Sequence, residues 1–429
     1  MMLNQETKDF IRQHLTDDVK KLALKRNNNP AIDLPLALQQ IEGYQTALKK
    51  LPEWAAQEGI LFPPKISMEQ CSSETTAKYK QALVLRLMQE GQKHISQGQS
   101  IGEKAETTFF SDRTLGKMAD LTGGFGIDFS YLAKPFDTAY YIERQEHLCE
   151  MAEHNFTILG LKQAHICSGN AVDILNQLPD LDLIFIDPAR RDLQGKKTYA
   201  ISDCEPDLSI LQHSILNKAK ISIAKLSPML DISLALTKLK NVNEIHIVCV
   251  DNECKELLFV QTQSEQSTII PNDDSPVFFC VNLQNNQQSI FTFSRAKEKN
   301  ANCRYASNLK SYLYEPNAAI MKAGAYRCLT ECFAVEKLHP NTHLYTSEEL
   351  IEDFPGRRFF IEDSSSFAKK EIHKILQGIE QANLTVRNFP ETVAVLRKKL
   401  KLKEGGDSYL FATTLANEQH ILVKCRQIK

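Results

Sequence analysis

The chain predicts an open α/β sheet, preceded by a helical region and followed by a small α+β module. Three observations predict it. From Phe109 to about Val260, short apolar runs alternate with helical periodicity, as a parallel sheet covered on both faces requires. The first run ends in Asp120-Leu121-Thr122-Gly123-Gly124-Phe125-Gly126 and passes straight into a helical pattern. Glycines there let the backbone turn sharply and approach a ligand at the carboxyl edge of the sheet. Glu143 then ends the next run, 19 residues beyond Gly124, and an acid at about that offset can hold a ribose through its hydroxyls.

Residues 1–105 read as helices. Phe10, Ile11, Leu15, Val19 and Leu22 recur at helical spacing until Asn27-Asn28-Asn29-Pro30. A second helix spans 34–51 and stops at Pro52, and a third starts near Ser72-Ser73, with a break marked by Gly91 and Gly98. Residues 106–262 hold the sheet, with strands expected at 117–121, 139–142, 165–167, 181–186, 221–225, 244–250 and 257–260. Gly160 suits the C-terminal cap of a helix over 146–159. The polar stretch 261–276 reads as a boundary. Residues 275–335 form a small α+β (ferredoxin-like) insert or linker that begins with a hairpin around Asn285-Asn286 and carries a helix after Pro316. Residues 345–429 predict strand 358–361, helix 367–382, strand 384–388, helix 391–402 and strands 409–414 and 420–424.

Length and composition fit this organisation. The chain has 429 residues, is 42% hydrophobic and 24% charged, and carries a formal charge of -2. That size fits two or three domains, and the charge gives no global attraction to nucleic acid, so any basic surface is local. The 11 cysteines contain no C-x-x-C pair, which argues for reduced thiols rather than a zinc ribbon or disulfide frame. The start carries acids and no long apolar run, unlike a signal peptide, and no segment reaches a membrane-spanning length. A cytoplasmic location is therefore expected. The histidines are dispersed; His147 and His154 share a helix seven apart, so no metal is expected.

The ligand can be narrowed. A dinucleotide fingerprint has a third glycine where this chain has Phe129, and Asp120 would repel a phosphate, which disfavours a nicotinamide oxidoreductase. Asp120-x-Thr-Gly-Gly-x-Gly, Glu143, Gly169-Asn170-Ala171 and Asp187-Pro188-Ala189-Arg190 resemble the motifs of class I S-adenosylmethionine-dependent methyltransferases, with their Rossmann-like sheet. The early EQCSSETTAKYK, the later YLYEPNAAIMKAG and the C-terminal segment are similar to the bacterial family that carries a THUMP-like C-terminal domain.

This resemblance implies S-adenosyl-L-methionine as cofactor, held by Asp120, Thr122, Gly123, Gly124, Gly126, Asp128, Glu143, Asn170 and Ala171. Asp120 would meet its amino-acid end, Glu143 its ribose, and Asn170 with Ala171 its adenine, where the family more often has an acid. Asp187, Pro188 and Arg190 would form the catalytic loop. A carboxylate such as Asp187 can accept a hydrogen bond from an attacking amine and orient its lone pair. Uracil C5 enzymes also need a cysteine after a later strand; here that strand ends Lys225-Leu226-Ser227-Pro228, which disfavours covalent C5 chemistry. Arg190 and Arg191 would hold a phosphate or a base edge, or else pair with Asp192.

From residue 345 onward there are 14 Lys and Arg against 12 Asp and Glu. Lys398, Lys399 and Lys401, with Arg397 and Lys403, lie beside Arg357-Arg358, Lys369-Lys370 and Arg387. By charge alone this is a solvated helix face; the THUMP-like resemblance turns it toward RNA. The expected activity is methyl transfer to an RNA base nitrogen by direct in-line displacement. The rivals are a protein or small-molecule acceptor, and an RNA-binding protein that has lost catalysis. The sequence leaves the oligomeric state open.

Overall fold

The computed structural model describes residues 3–24, 29–96, 115–190, 201–263, 276–285 and 287–428, without the side chains of residues 91–96 and of Arg190. The described chain forms two compact units: Met1–Val242 with Leu258–Thr268, and Asn243–Leu257 with Ile269–Lys429.

The first unit opens with helices α1 (Gln5–His14), α2 (Val19–Leu24), α3 (Leu34–Lys50), α4 (Pro52–Ala55), α5 (Lys65–Gln70) and α6 (Glu74–Ser96). The first periodic run is two helices rather than one, because the Asp18 carboxylate accepts from the amides of Lys20 and Lys21 and starts a new N-terminus. The expected break at Gly91 is absent: α6 continues to Ser96, and Gly98 lies outside the described residues. One internal glycine weakens a helix by only about 1 kcal/mol.

Strands β1 (Leu115–Asp120), β2 (Phe136–Glu143), β3 (Ala164–Ser168), β4 (Leu181–Ile186) and β7 (Ala219–Leu226) pair in parallel in the order β7-β4-β1-β2-β3. Between them lie α7 (Ile127–Leu132), α8 (Glu146–Ile158), α9 (Ala171–Gln177) and α10 (Leu208–Lys218), and α11 (Ile232–Lys238) follows β7. β1 and β4 sit at the centre. Met118, Ala119, Leu183, Ile184 and Phe185 are 1% exposed or less, which is why their sequences read as unbroken apolar runs. A two-stranded ribbon of β5 (Ala189–Arg190) and β6 (Cys204–Glu205) stands beyond β4.

The N-terminal helices are fastened to this sheet by polar brackets. Asn155 of α8 holds the Leu61 backbone through N–H and C=O, at 2.9 Å each, and within the N-terminal region Gln40 holds Phe62 in the same way, at 2.8 Å each. Trp54 is buried and its indole N–H donates to Ser130 Oγ on α7 at 3.3 Å.

In the second unit β8 (Val242–Val250) runs parallel to β10 (Val277–Gln284), which forms the expected hairpin with β11 (Gln287–Ser294). β9 (Glu253–Thr262) contains the passage between the units at residue 257. A separate seven-stranded sheet has the order β13-β14-β12-β15-β18-β17-β16, built from β12 (Tyr312–Pro316), β13 (Glu336–His339), β14 (Thr342–Ser347), β15 (Gly356–Ser366), β16 (Asn383–Arg387), β17 (Ser408–Thr414) and β18 (His420–Ile428). Its helices are α12 (Arg295–Asn300), α13 (Ala318–Ala323), α14 (Leu329–Cys332), α15 (Lys369–Ile375) and α16 (Val393–Leu400).

Alternate residues serve two cores: Phe411, Ile421 and Val423 pack with Leu313 and Phe359, whereas Leu410, Ala412 and Leu422 pack with Leu384 and Leu396. The helix expected over 367–382 stops at Ile375, because the chain turns at Gly378 with φ +79°.

Candidate active site

The end of β1, the end of β2 and the end of β4 converge on one edge of the parallel sheet. Leu121 N–H donates to Phe185 O at 3.0 Å, and Gly123 N–H to Ile142 O at 2.8 Å, so the glycine turn is stitched to both neighbouring strands. Gly124 and Gly126 have φ of +55° and +85°, conformations that side chains rarely adopt. A Cβ on Gly124 would meet only Thr122 O, at 3.8 Å, so the turn is open at that point. Glu143 sits 8% exposed with both carboxylate oxygens on backbone: Oε2 accepts from Gly124 N–H and Oε1 from Gln145 N–H, each at 2.9 Å. A carboxylate has about four acceptor sites, so capacity remains for ligand hydroxyls.

Phe129, which stands where a dinucleotide fold has its third glycine, is fully buried. Its ring stacks on Phe156 at 4.9 Å and meets Tyr141 edge-on at 5.5 Å. Aromatic packing thus spaces α7 from the sheet where a glycine would allow close approach.

Asp120 is 1% exposed. Burial pushes its carboxyl up to about 8, against the pull of the Thr122 amide, which donates to it at 2.9 Å. Thr122 Oγ1 in turn accepts from Asp187 N–H at 2.6 Å, so Asp120, Thr122 and Asp187 form a chain of contacts across the strand ends. Asn170 caps α9, its side-chain oxygen accepting from Val172 N–H at 2.8 Å. That is the oxygen an adenine amine would need. Ala171 follows it as the first residue of α9.

The site contains a group of residues that the motifs do not include. Lys225, next to last in β7, places Nζ 2.6 Å from Asp187 Oδ2, 3.0 Å from Ser72 Oγ and 3.3 Å from Asp128 Oδ2. Lys80 of α6, fully buried, stands 3.1 Å from Asp128 Oδ1, and the Ser72 hydroxyl donates to Asp128 Oδ2 at 2.7 Å. Burial alone would raise the Asp128 pKa, but Lys80, Lys225 and Ser72 together hold it below its ordinary value. Asp128, expected toward the cofactor, is therefore committed to these two lysines. The sequence carried one signal of this cluster: a cation, Lys225, directly after the apolar run Ile221-Ser222-Ile223-Ala224.

Pro188 follows Asp187 and leads into β5, where Arg190 pairs with Cys204 through the backbone. Arg191 and Asp192 lie outside the described residues. In the second unit, Lys398, Lys401 and Arg397 line a groove beside α16 together with Glu404. Lys399 is paired with Glu391. Two arginines expected beside this run are engaged elsewhere: Arg357 and Arg387 both grip Glu315, whose side chain is 5% exposed. Among the described residues no group of three or more His, Cys, Asp and Glu side chains is arranged to hold a metal, and no helix is long and apolar enough to cross a membrane.

A parallel sheet with a glycine turn, flanking acids and an Asp-Pro loop on one edge defines a class I methyltransferase fold. The whole chain matches, over the full length of both chains, a crystal structure from Porphyromonas gingivalis W83 that carries a methyltransferase assignment, at 30% identity and a TM-score of 0.83. Family models match residues 312–355 as a ferredoxin-like domain and residues 356–427 as THUMP domain-like. The chain belongs to the bacterial family of class I S-adenosylmethionine-dependent methyltransferases with a THUMP-like C-terminal domain. An rRNA methylase from Streptococcus thermophilus covers 36% of this chain and 90% of its own at 13% identity and a TM-score of 0.27. A structure from Streptococcus mutans that carries a methyltransferase assignment, in complex with SAH, covers 34% and 88% at 11% identity, also with a TM-score of 0.27. Neither likeness carries an argument. No curated protein sequence matches.

Proposed function

We propose that the protein transfers a methyl group from S-adenosylmethionine directly to a base nitrogen of RNA. The observation that carries this reading is the open turn at Gly124, held by Glu143 and joined through Thr122 to Asp187. The residues present fit the cofactor. Glu143 retains acceptor capacity for a ribose, Gly124 leaves space for close approach, and buried Asp120 lies next to the turn. When bound, S-adenosylmethionine supplies an electrophilic methyl carbon on a sulfonium. The protein aligns the acceptor and excludes water from it. Asp187 accepts a hydrogen bond from the acceptor amine, which directs the nitrogen lone pair toward the methyl carbon. Pro188 fixes the backbone after it, and Arg190 with Arg191 receives a phosphate or base edge.

The acceptor assignment rests on the second unit. The groove beside α16 offers Lys398 and Lys401 to phosphates, with Arg397 paired to Glu404 at 3.6 Å, and THUMP-like modules present basic patches of this kind. Calorimetric titration of the cofactor, followed by incubation with methyl-tritiated cofactor and total bacterial RNA, tests the reading in two stages. Cofactor binding with label appearing in RNA supports it. Binding without label moves the acceptor to a protein or small molecule, and tighter binding of NADH than of S-adenosylmethionine overturns the cofactor.

A further inference from the structure

We propose that Lys225 is a positioning residue of the reacting edge, held in place by the helical N-terminal region. The inference rests on the cofactor reading above. Lys225 and Lys80 bring two positive charges, and Asp128 and Asp187 two negative ones, to separations of 2.6–3.3 Å. Of these four side chains, Lys80, Lys225 and Asp128 are at most 13% exposed, whereas Asp187 is 40% exposed. The cluster therefore reaches the open edge through the Asp187 carboxylate. Ser72 and Lys80 come from the N-terminal part of the chain, Ser72 lying 153 positions before Lys225, and both meet Asp128.

Folding alone gives little reason for such a group, because buried ion pairs are commonly no more stabilising than apolar residues of similar volume. Its arrangement does have a chemical consequence at the edge. One oxygen of Asp187 is occupied by Lys225, which restrains the carboxylate and leaves the other oxygen for an acceptor amine. The ammonium also offsets the carboxylate charge. A bare carboxylate beside the donor would attract the cationic sulfonium of the ground state more than the neutral thioether product, and ground-state attraction does not speed transfer. Lys225 keeps the edge near neutral.

The ratio of affinities for S-adenosylmethionine and S-adenosylhomocysteine reads the local charge, since the two ligands differ by a methyl group and a positive charge. Both are titrated calorimetrically into the full chain and its variants. Lys225→Met should raise the preference for S-adenosylmethionine by about threefold to tenfold, the size expected for one charge about 6 Å away at an effective dielectric of about 40 to 80. Asp187→Asn, which leaves Lys80 and Lys225 balanced by Asp128 alone, should lower it by a similar factor. Lys225→Arg, which keeps the charge, should stay near the parent ratio. An equal loss for both ligands, or an unmoved ratio in Lys225→Met and Asp187→Asn, makes the cluster structural only and overturns the proposal. If Lys225→Met does not fold, Asp187→Asn decides alone, because its side chain is substantially exposed. Failure of the parent protein to bind either ligand sinks the cofactor reading and this inference with it.

Discussion

At the scale of single residues, Asp120 is a carboxyl kept in a place where its charge is unwelcome. Its pKa is raised to about 8 by burial, with Asp128 and Asp187 adding to the rise and the Thr122 amide and Lys225 opposing it. A group whose folded pKa is raised contributes stability in its protonated form, which is present below about pH 4 and lost as pH climbs toward 8. Asp120→Asn, which mimics the protonated acid, should therefore melt higher than the parent at about pH 8, by roughly 2 to 4 °C for each kcal/mol recovered. The advantage should shrink to little near about pH 4, where Asp120 is protonated in the folded protein and only about half ionised in the unfolded chain, and parallel melting curves at both pH values would refute the buried-charge account. Glu143 differs, since its two oxygens already serve backbone amides. Glu143→Ala should weaken S-adenosylmethionine binding by about 1 to 3 kcal/mol, the range for hydrogen bonds to a charged acceptor, read by calorimetry. An unchanged affinity would mean that Glu143 only braces the turn.

At the scale of elements, the sheet of the first unit is legible in the sequence and the charge cluster is not, for one physical reason. Strands such as Leu181–Ile186 are apolar on both faces because both faces are covered, and that pattern is local. Lys225 meets Ser72 across 153 positions of sequence, and no local period records such a meeting. The motif residues Asp120, Glu143 and Asp187 are legible because each stands at the end of a strand of one parallel sheet, where topology alone brings them to a common edge. β13 and β14 escape a reading by periodicity, being four and six residues long and separated by a tight turn at Pro340-Asn341. The helix expected over 367–382 is too long because its apolar period continues through Gly378, where the backbone turns away. β15 also exposes a constraint that periodicity hides: a Cβ on Gly356 would lie 2.1 Å from Glu315 O and 2.8 Å from Pro316 Cα, both backbone atoms of β12. Gly356→Ala should therefore force β12 and β15 apart and destabilise the second unit by about 1 to 3 kcal/mol, the usual range for overpacking. Chemical denaturation checks this, and a midpoint equal to the parent's would show that the strands yield at no cost.

At the scale of the whole molecule, a net charge of -2 means that the RNA proposed as acceptor would have to be drawn to a local surface. With Arg357 and Arg387 bound to Glu315 and Lys399 to Glu391, the cations best placed for phosphates are Lys398 and Lys401. Replacing both by alanine should flatten the slope of log affinity against log salt by about 0.7 for each single-strand phosphate no longer neutralised, while S-adenosylmethionine binds as before. A slope that does not move would leave these lysines as a solvated helix face. The central claim, methyl transfer to an RNA base nitrogen, is tested most directly by mass spectrometry of RNA nucleosides from a strain lacking the protein, compared with its parent. The account predicts that one N-methylated nucleoside disappears and returns when the intact protein and S-adenosylmethionine are supplied to the isolated RNA. Identical nucleoside profiles from the two strains would contradict it.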